Sequence, residues 1–189
     1  MVAFKQDWTV KIMERIRIEK LNRNSDISSI KSILEIFTKI HNDNFENKIG
    51  NKYFLNIFSD LQYEIYILKY IDSEKYEYIS GYIIFYDTVE AVDIFEIAID
   101  VNMQNEGLGK RILSESIELL FSEEKYRNRS EEEKKVMLEV REDNYNAVKL
   151  YEKTGFKQIS LRKNYYGQNR HGKIMIKKIK LKKENQENR

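Results

Sequence analysis

Three β-rich runs joined by very short turns constrain the fold of this chain more than any other feature. The runs cover residues 63–71, 76–86 and 91–101, and the segments between them are Asp72–Lys75 and Asp87–Thr88. Both connections contain turn-forming residues and are far shorter than the crossover of about a dozen residues that parallel strands need. The sequence therefore predicts a meander of antiparallel strands.

Apolar residues at helical spacing predict helices on both sides of this meander. Ser25 or Asp26 is suited to cap the first helix, and a shorter helix covers residues 52–58. A third helix begins near Leu108, after the last strand of the meander. A fourth helix runs from residue 144 to about residue 153.

Further strands are predicted near the two ends of the chain. One ends near Leu21, and three more cover residues 136–141, 156–162 and 173–181. The strands before and after the helix that begins near Leu108 are joined through that helix, so they should run parallel. The expected fold class is therefore α+β, with a mixed, mostly antiparallel sheet of about seven strands flanked by about four helices.

The amino-acid composition excludes several chemistries. The chain has no cysteine and only two histidines, which excludes disulfides, thiolate nucleophiles and Cys-ligated metals and argues against any metal site. Its 189 residues fit one domain, expected over residues 1–181 with an N-terminal extension at 1–12 and a polar tail at 182–189. Because no apolar run is long enough for a membrane span or a signal peptide, we expect a cytoplasmic protein with no membrane contact.

The net charge of +2 hides an asymmetry between two parts of the chain. Residues 157–189 carry 11 basic and 2 acidic side chains, a net +9, whereas residues 1–156 carry 22 basic and 29 acidic side chains, a net −7. The basic end is suited to an anionic partner such as RNA, but an ordinary solvated surface has the same composition. Direct RNA contact and a solvated surface are therefore both consistent with the charge of residues 157–189.

A glycine-containing loop, Gln104–Lys110, follows the last strand of the meander and precedes a helix. Gly107 and Gly109 allow the backbone to approach a ligand closely, and the first turn of the helix offers N–H groups at the positive end of its dipole. This arrangement is typical of a phosphate or pyrophosphate site. It matches neither the P-loop nor the full dinucleotide fingerprint, and two glycines at a helix start also occur in simple tight turns.

A second motif occupies residues 138–156. Asn144 is suited to cap the helix that follows it, and Gly155 is suited to end that helix in a left-handed conformation. Tyr151 lies about two turns after Asn144 and should share its helix face, while Glu139 projects from the preceding strand. Glu139 and Tyr151 are candidates for proton transfer, although a half-exposed strand carboxylate and a packed aromatic residue would give the same pattern.

Both motifs point to one family. The pattern Gln-x-x-Gly-x-Gly after the strand at residues 95–101 resembles the acetyl-CoA pyrophosphate loop of the Gcn5-related N-acetyltransferase (GNAT) superfamily. The Leu-Glu-Val-Arg and Leu-Tyr-Glu motifs and the segment Arg162–Tyr166 resemble the RimI-type ribosomal-protein N-alpha-acetyltransferases. The resemblance implies a GNAT fold, whose mixed, V-shaped sheet splays after its fourth strand to admit the cofactor.

For function, the resemblance implies an acetyl-CoA-dependent enzyme that needs no metal. The acceptor would be a protein N-terminal α-amine, with a ribosomal protein as the partner, and it would attack directly in a ternary complex. Glu139 would be the proton acceptor and Tyr151 the proton donor. The residues that would hold acetyl-CoA are Ile97, Ala98, Ile99, Asn105, Glu106, Gly107, Leu108, Gly109, Lys110 and Asn144.

Two departures from the family pattern concern the acceptor. Glu96 stands where the family commonly has Asn, and residues 41–48 lack the Pro-Trp pair that often shapes the peptide site. An acetyltransferase for a small amine, such as a polyamine or an antibiotic, or for a protein lysine therefore stays an alternative. A non-catalytic acyl-CoA-binding or RNA-binding module is a second alternative. We interpret His41 as a helix-end residue and His171 as a turn residue.

Overall fold

The computed structural model describes residues 13–88, 90–128 and 133–180. The chain divides into two compact units: the first contains residues 13–87 and 94–117, and the second contains residues 88–93 and 118–180 within the described ranges. The predicted N-terminal extension at 1–12 and the predicted tail at 182–189 lie outside the described residues. The single domain expected over residues 1–181 remains a prediction.

The described residues contain seven strands, which agrees with the predicted α+β class. The strands are β1 (Ile16–Lys20), β2 (Tyr63–Ile71), β3 (Glu77–Asp87), β4 (Val92–Ile99), β5 (Glu133–Arg141), β6 (Lys157–Arg162) and β7 (Gly172–Lys180). The helices are α1 (Ile27–Asn44), α2 (Asn51–Ser59), α3 (Leu108–Ser122), α4 (Glu124–Arg127) and α5 (Tyr145–Lys153), with a 3₁₀ turn at Val101–Met103. Within these ranges, no helix has the length and apolar character that crossing a membrane requires.

The first unit is a sheet with α1 and α2 packed on it. Its strand order is β1-β2-β3-β4, and β2 pairs with its neighbours β1 and β3 in antiparallel register. The Asp26 side chain caps α1 by accepting a hydrogen bond from the Ser29 N–H at 2.9 Å, so this predicted cap is present. Phe37 of α1 stacks on Tyr82 of β3 at 4.5 Å and meets Phe54 of α2 edge-on at 5.4 Å. This aromatic cluster fixes both helices on the sheet.

The second unit has the strand order β5-β7-β6, with antiparallel pairing throughout. One face of β5 is buried and carries Val136, Leu138 and Val140. Asn144 caps α5, because its side chain accepts a hydrogen bond from the Ala147 N–H at 3.2 Å. After α5 the chain turns at Gly155 with φ +94°. The cap and the left-handed helix end that the sequence predicts are therefore both present.

β6 is the open edge of the second unit. It pairs only with β7, and all six of its residues are exposed. A register shift between Gln158 and Ser160 leaves Ile159 outside the regular pairing. The edge strand is thus interrupted by a bulge.

Two details differ from the sequence-based expectation. β5 begins at Glu133 rather than near residue 136, and the short α4 lies in a charged stretch where no helix was predicted. The reason for α4 is Tyr126, which is fully buried and meets Phe121 edge-on at 5.7 Å. One buried aromatic side chain is enough to anchor a turn that is otherwise highly charged.

Candidate active site

The glycine loop of the first unit has the geometry of an anion site. Asn105 and Gly107 both adopt left-handed backbone conformations, with φ +66° and +80°. The Arg111 N–H bonds to the Gly107 carbonyl at 3.2 Å, so the N–H groups of residues 108–110 precede the hydrogen-bonded ladder of α3. Amides at a helix start favour negative charge. The residues present therefore fit a phosphate or pyrophosphate group, as the sequence predicts.

Side-chain amides hold this loop to the end of β4. The Gln104 Nε2 donates to the Asn44 Oδ1 at 2.8 Å and to the Ile99 carbonyl at 3.1 Å. The Asn44 Nδ2 also donates to the Ile99 carbonyl, at 3.0 Å. The Ile99 carbonyl thus accepts two bonds from within the protein, and the end of α1 fixes the point at which the chain leaves β4.

Gly81 of β3 allows the β4 backbone to approach closely. A Cβ atom at this position would lie 2.8 Å from the Ala98 carbonyl oxygen and 2.6 Å from the Ile99 Cδ1, which is too close for any side chain. This role of Gly81 was not predicted from the sequence. The available signal was a glycine in the interior of a predicted strand, which often marks such a close approach.

Glu96 of β4 lies in a buried polar cluster. Its Oε1 accepts hydrogen bonds from the Tyr82 hydroxyl and from the His41 Nδ1, the latter at 2.9 Å, and its Oε2 accepts one from the Tyr53 hydroxyl at 3.1 Å. The His41 Nε2 faces the Asn47 carbonyl at 3.0 Å. The side chains of His41 and Glu96 are only 7% and 9% exposed. Both carboxylate oxygens therefore have hydrogen-bond donors.

Glu96 is the acceptor at the centre of this cluster. Each ring nitrogen of His41 faces an oxygen atom, that of Glu96 on one side and that of Asn47 on the other. Burial raises the pKa of the Tyr82 hydroxyl, and the negative charge of Glu96 raises it further; the same two causes raise the pKa of the Tyr53 hydroxyl. The tyrosines thus stay protonated as donors. His41 lies in the last turn of α1 but is a buried partner of Glu96, which sequence spacing did not reveal.

Glu139 in the second unit has a different environment. Its Oε2 accepts a hydrogen bond from the Arg162 Nη1 at 2.9 Å. Its Oε1 is buried and has no hydrogen-bond partner among the described residues. A buried acceptor without a donor costs about 1–3 kcal/mol. This oxygen can therefore still accept a hydrogen bond.

Tyr151 is the buried phenol of the same unit, with 6% of its surface exposed. Burial raises the pKa of the Tyr151 hydroxyl, and the neighbouring Tyr166 adds to the effect. Burial also raises the pKa of Tyr166, and the negative charge of Glu139 raises it further. Tyr166 thus interacts electrostatically with both predicted catalytic residues. At neutral pH the Tyr151 phenol is in the protonated form that can donate.

The other predicted residues have simpler surroundings. Asn144 is exposed and caps α5, whereas Tyr151 on the same helix is buried. His171 accepts a hydrogen bond from the Asn164 N–H at 3.1 Å, in agreement with a turn role. In the part of the chain that the structure describes, no group of three or more His, Cys, Asp or Glu side chains is placed to bind a metal.

Residues 30–156 match the acetyltransferase (GNAT) family, and the chain belongs to this family. A [ribosomal protein bS18]-alanine N-acetyltransferase of Haemophilus ducreyi is 34% identical to it over 99 residues. Those residues are 52% of this chain and 61% of the relative, so the match spans less than two thirds of that protein.

Solved structures share the fold. The ribosomal-protein-S18-alanine N-acetyltransferase of Escherichia coli superposes with a TM-score of 0.67 at 24% identity, covering 90% of this chain and 97% of that one. A GNAT family acetyltransferase of Elizabethkingia anophelis, solved with acetyl-CoA bound, superposes with a TM-score of 0.59 at 19% identity, covering 88% and 99%. The GNAT fold expected from the two sequence motifs is confirmed.

Proposed function

We propose that this protein is an acetyl-CoA-dependent N-acetyltransferase whose acceptor is a protein N-terminal α-amine, in particular that of a ribosomal protein. The observation that carries the proposal is the Glu139 carboxylate. One of its oxygens accepts a hydrogen bond from Arg162, whereas the other is buried and has no donor among the described residues. It belongs to the same unit as the protonated Tyr151. The partial similarity to a ribosomal-protein alanine N-acetyltransferase supports the class of acceptor.

The proposed cofactor contacts come from the glycine loop, β4 and the cap of α5. Backbone N–H groups bind the pyrophosphate, and the β4 backbone orients the pantetheine arm. Acetyl-CoA supplies the thioester carbonyl that the amine attacks. The residues assigned to this role are Ile97, Ala98, Ile99, Asn105, Glu106, Gly107, Leu108, Gly109, Lys110 and Asn144.

Glu139 is the proposed proton acceptor. An α-amino group has a pKa near 8, whereas a lysine side chain has a pKa near 10.4. Forming the neutral α-amine at pH 7 therefore costs only about 1.4 kcal/mol, which one carboxylate acting through a water can overcome. The Glu139 Oε1 takes the amine proton, and the Tyr151 hydroxyl donates a proton to the departing sulfur.

Glu96 is a weaker candidate for this role although it lies on a strand assigned to the cofactor. Its two oxygens already accept three hydrogen bonds, from Tyr82, His41 and Tyr53. A carboxylate whose oxygens are both occupied by protein donors has little capacity left for a substrate amine. Glu96 therefore stabilises the first unit, and the proton-accepting role falls to Glu139.

A thiol-release assay with acetyl-CoA tests the proposal. Three acceptors are compared at equal concentration: a peptide beginning with Ala, an N-terminally blocked peptide with one Lys, and spermidine. We expect the Ala peptide to release CoA fastest and its N-acetylated form to release none. Equal rates with all three acceptors would contradict the N-terminal assignment, a preference for spermidine would indicate a small-amine enzyme, and no release with any would indicate a binding module.

A further inference from the structure

Three directly paired residues, one from each strand of the second unit, form a row with Gly172 in the middle. Gly172 of β7 pairs with Arg141 of β5 on one side and with Arg162 of β6 on the other. Side chains of directly paired residues project from the same face of a sheet. A glycine at the middle of the row leaves a gap without a side chain between β6 and β5.

The gap is filled by the Glu139 carboxylate. A Cβ atom at Gly172 would lie 2.7 Å from the Glu139 Oε1 and 3.3 Å from the Tyr166 Cε2. Gly172 does not adopt a left-handed conformation, so backbone freedom does not explain its identity. The glycine instead provides the space into which the carboxylate and the edge of the tyrosine ring fit.

Arg162 reaches Glu139 across this gap. Its Nη1 lies 2.9 Å from the Oε2, and its guanidinium group lies over the Tyr165 ring at 4.8 Å from the ring centre. The Arg162 side chain is 51% exposed and that of Glu139 is 22% exposed. An ion pair this accessible contributes about 0–1 kcal/mol to folding, which is too little for a main role in stability.

We propose that Arg162 is a positioning residue for the proton acceptor, Glu139. Gly172 provides the gap that the Glu139 carboxylate occupies while Arg162 binds it. The inference rests on the proposed role of Glu139. By holding the Oε2, the guanidinium fixes the rotation of the carboxylate and keeps the Oε1 in the space at Gly172, without a donor from the described residues. Arg162 itself gains and loses no proton in the reaction.

Replacement of Arg162 tests the proposal. We expect Arg162→Ala to lower kcat about 10- to 100-fold, because displacing a reacting group by about 1 Å has effects of this size. The KM for acetyl-CoA and the thermal midpoint should not change. Arg162→Lys should retain part of the activity, and added guanidinium ion at millimolar concentration should restore Arg162→Ala but not Glu139→Gln. Lys163→Ala, which removes an exposed positive charge next to Arg162, is the matched control and should keep full activity.

A double-variant experiment tests the role of Gly172. Gly172→Val should fill the gap and lower kcat, and the double variant Gly172→Val/Arg162→Ala should be no slower than the slower single variant. Additive losses would show that the two residues act separately and would overturn the proposal. Circular dichroism checks that each variant is folded. If Gly172→Val does not fold, rescue of Arg162→Ala by guanidinium ion remains as the test of the proposal.

The outcomes separate this inference from the proposed function. An inactive wild-type protein would overturn the function and with it the inference. An active wild-type protein whose Arg162→Ala variant keeps full kcat would overturn the inference alone. A lower thermal midpoint without rescue by guanidinium would assign Arg162 a structural role and would likewise overturn it.

Discussion

Glu96 and Glu139 are a pair of strand glutamates that look alike in sequence and differ in the structure. Each has apolar neighbours on both sides, and each projects from a strand of its own unit. Glu96 has donors on both oxygens, including His41, whereas Glu139 has one oxygen bound by Arg162 and the other without a donor among the described residues. The number of donors, rather than the residue type, distinguishes Glu96 from the proposed proton acceptor.

The difference has an energetic meaning. A buried carboxylate with all its hydrogen bonds contributes to a unique packing, and losing a partner destabilises the fold. A buried oxygen without a donor costs stability, and a catalytic role is one explanation for such a cost in a native protein. The two glutamates should therefore respond to the same substitution in opposite ways.

The largest effect is expected for Glu139→Gln. The amide keeps the size of the side chain and can still accept from Arg162, but it cannot take a proton. We expect kcat/KM to fall about 10²- to 10⁴-fold, the usual range for loss of a general base. The free energy of unfolding, measured with urea, should change by less than about 1 kcal/mol. Activity within tenfold of the wild type would exclude Glu139 as the proton acceptor.

Tyr151→Phe should have the next largest effect. Loss of the donor should lower kcat by about 10²-fold while binding of acetyl-CoA, measured by calorimetry, is retained. Because its pKa is raised, the wild-type phenol stays protonated above its ordinary pKa of about 10, so its ionisation should cause no loss of rate below about pH 10.

Tyr145→Phe on the same helix is the matched control, since Tyr145 is 70% exposed. It should leave kcat unchanged. If Tyr145→Phe and Tyr151→Phe were equally active, the donor would have to be sought elsewhere in the second unit.

Glu96→Gln should have the smallest effect on the reaction and a clear effect on stability. The amide has one acceptor oxygen instead of two and directs an NH₂ group toward hydroxyl or imidazole donors. We expect the free energy of unfolding to fall by about 1–3 kcal/mol, with kcat largely unchanged in the folded variant. A stable Glu96→Gln protein without turnover would reverse the comparison and make Glu96 the proton acceptor.

Local sequence signals predicted the elements well where one short stretch determines the geometry. The bounds of β2, the Asp26 and Asn144 caps and the left-handed Gly155 all follow from spacing and residue type. The same holds for the glycine loop before α3. These features depend on backbone conformations that a few neighbouring residues decide.

Contacts between distant residues were not predictable in the same way. His41 and Glu96 are separated by 55 residues, and Arg162 and Glu139 by 23. Both pairs depend on strand register and on helix packing, which no single stretch encodes. The sequence around Gly172 shows only that this residue is small. Its role as a gap for Glu139 depends on the pairing of β7 with β5 and β6.

The bulge in β6 has a consequence for how the protein behaves in concentrated solution. An exposed edge strand presents unpaired backbone groups that invite pairing with another chain. Here the strand is short, it is interrupted at Ile159, and positively charged side chains occupy both of its ends, at Lys157 and Arg162. Short length, a bulge and positive charge are features that oppose edge-to-edge self-association. Arg162 is thus one of the charged ends of this edge as well as the residue that binds Glu139.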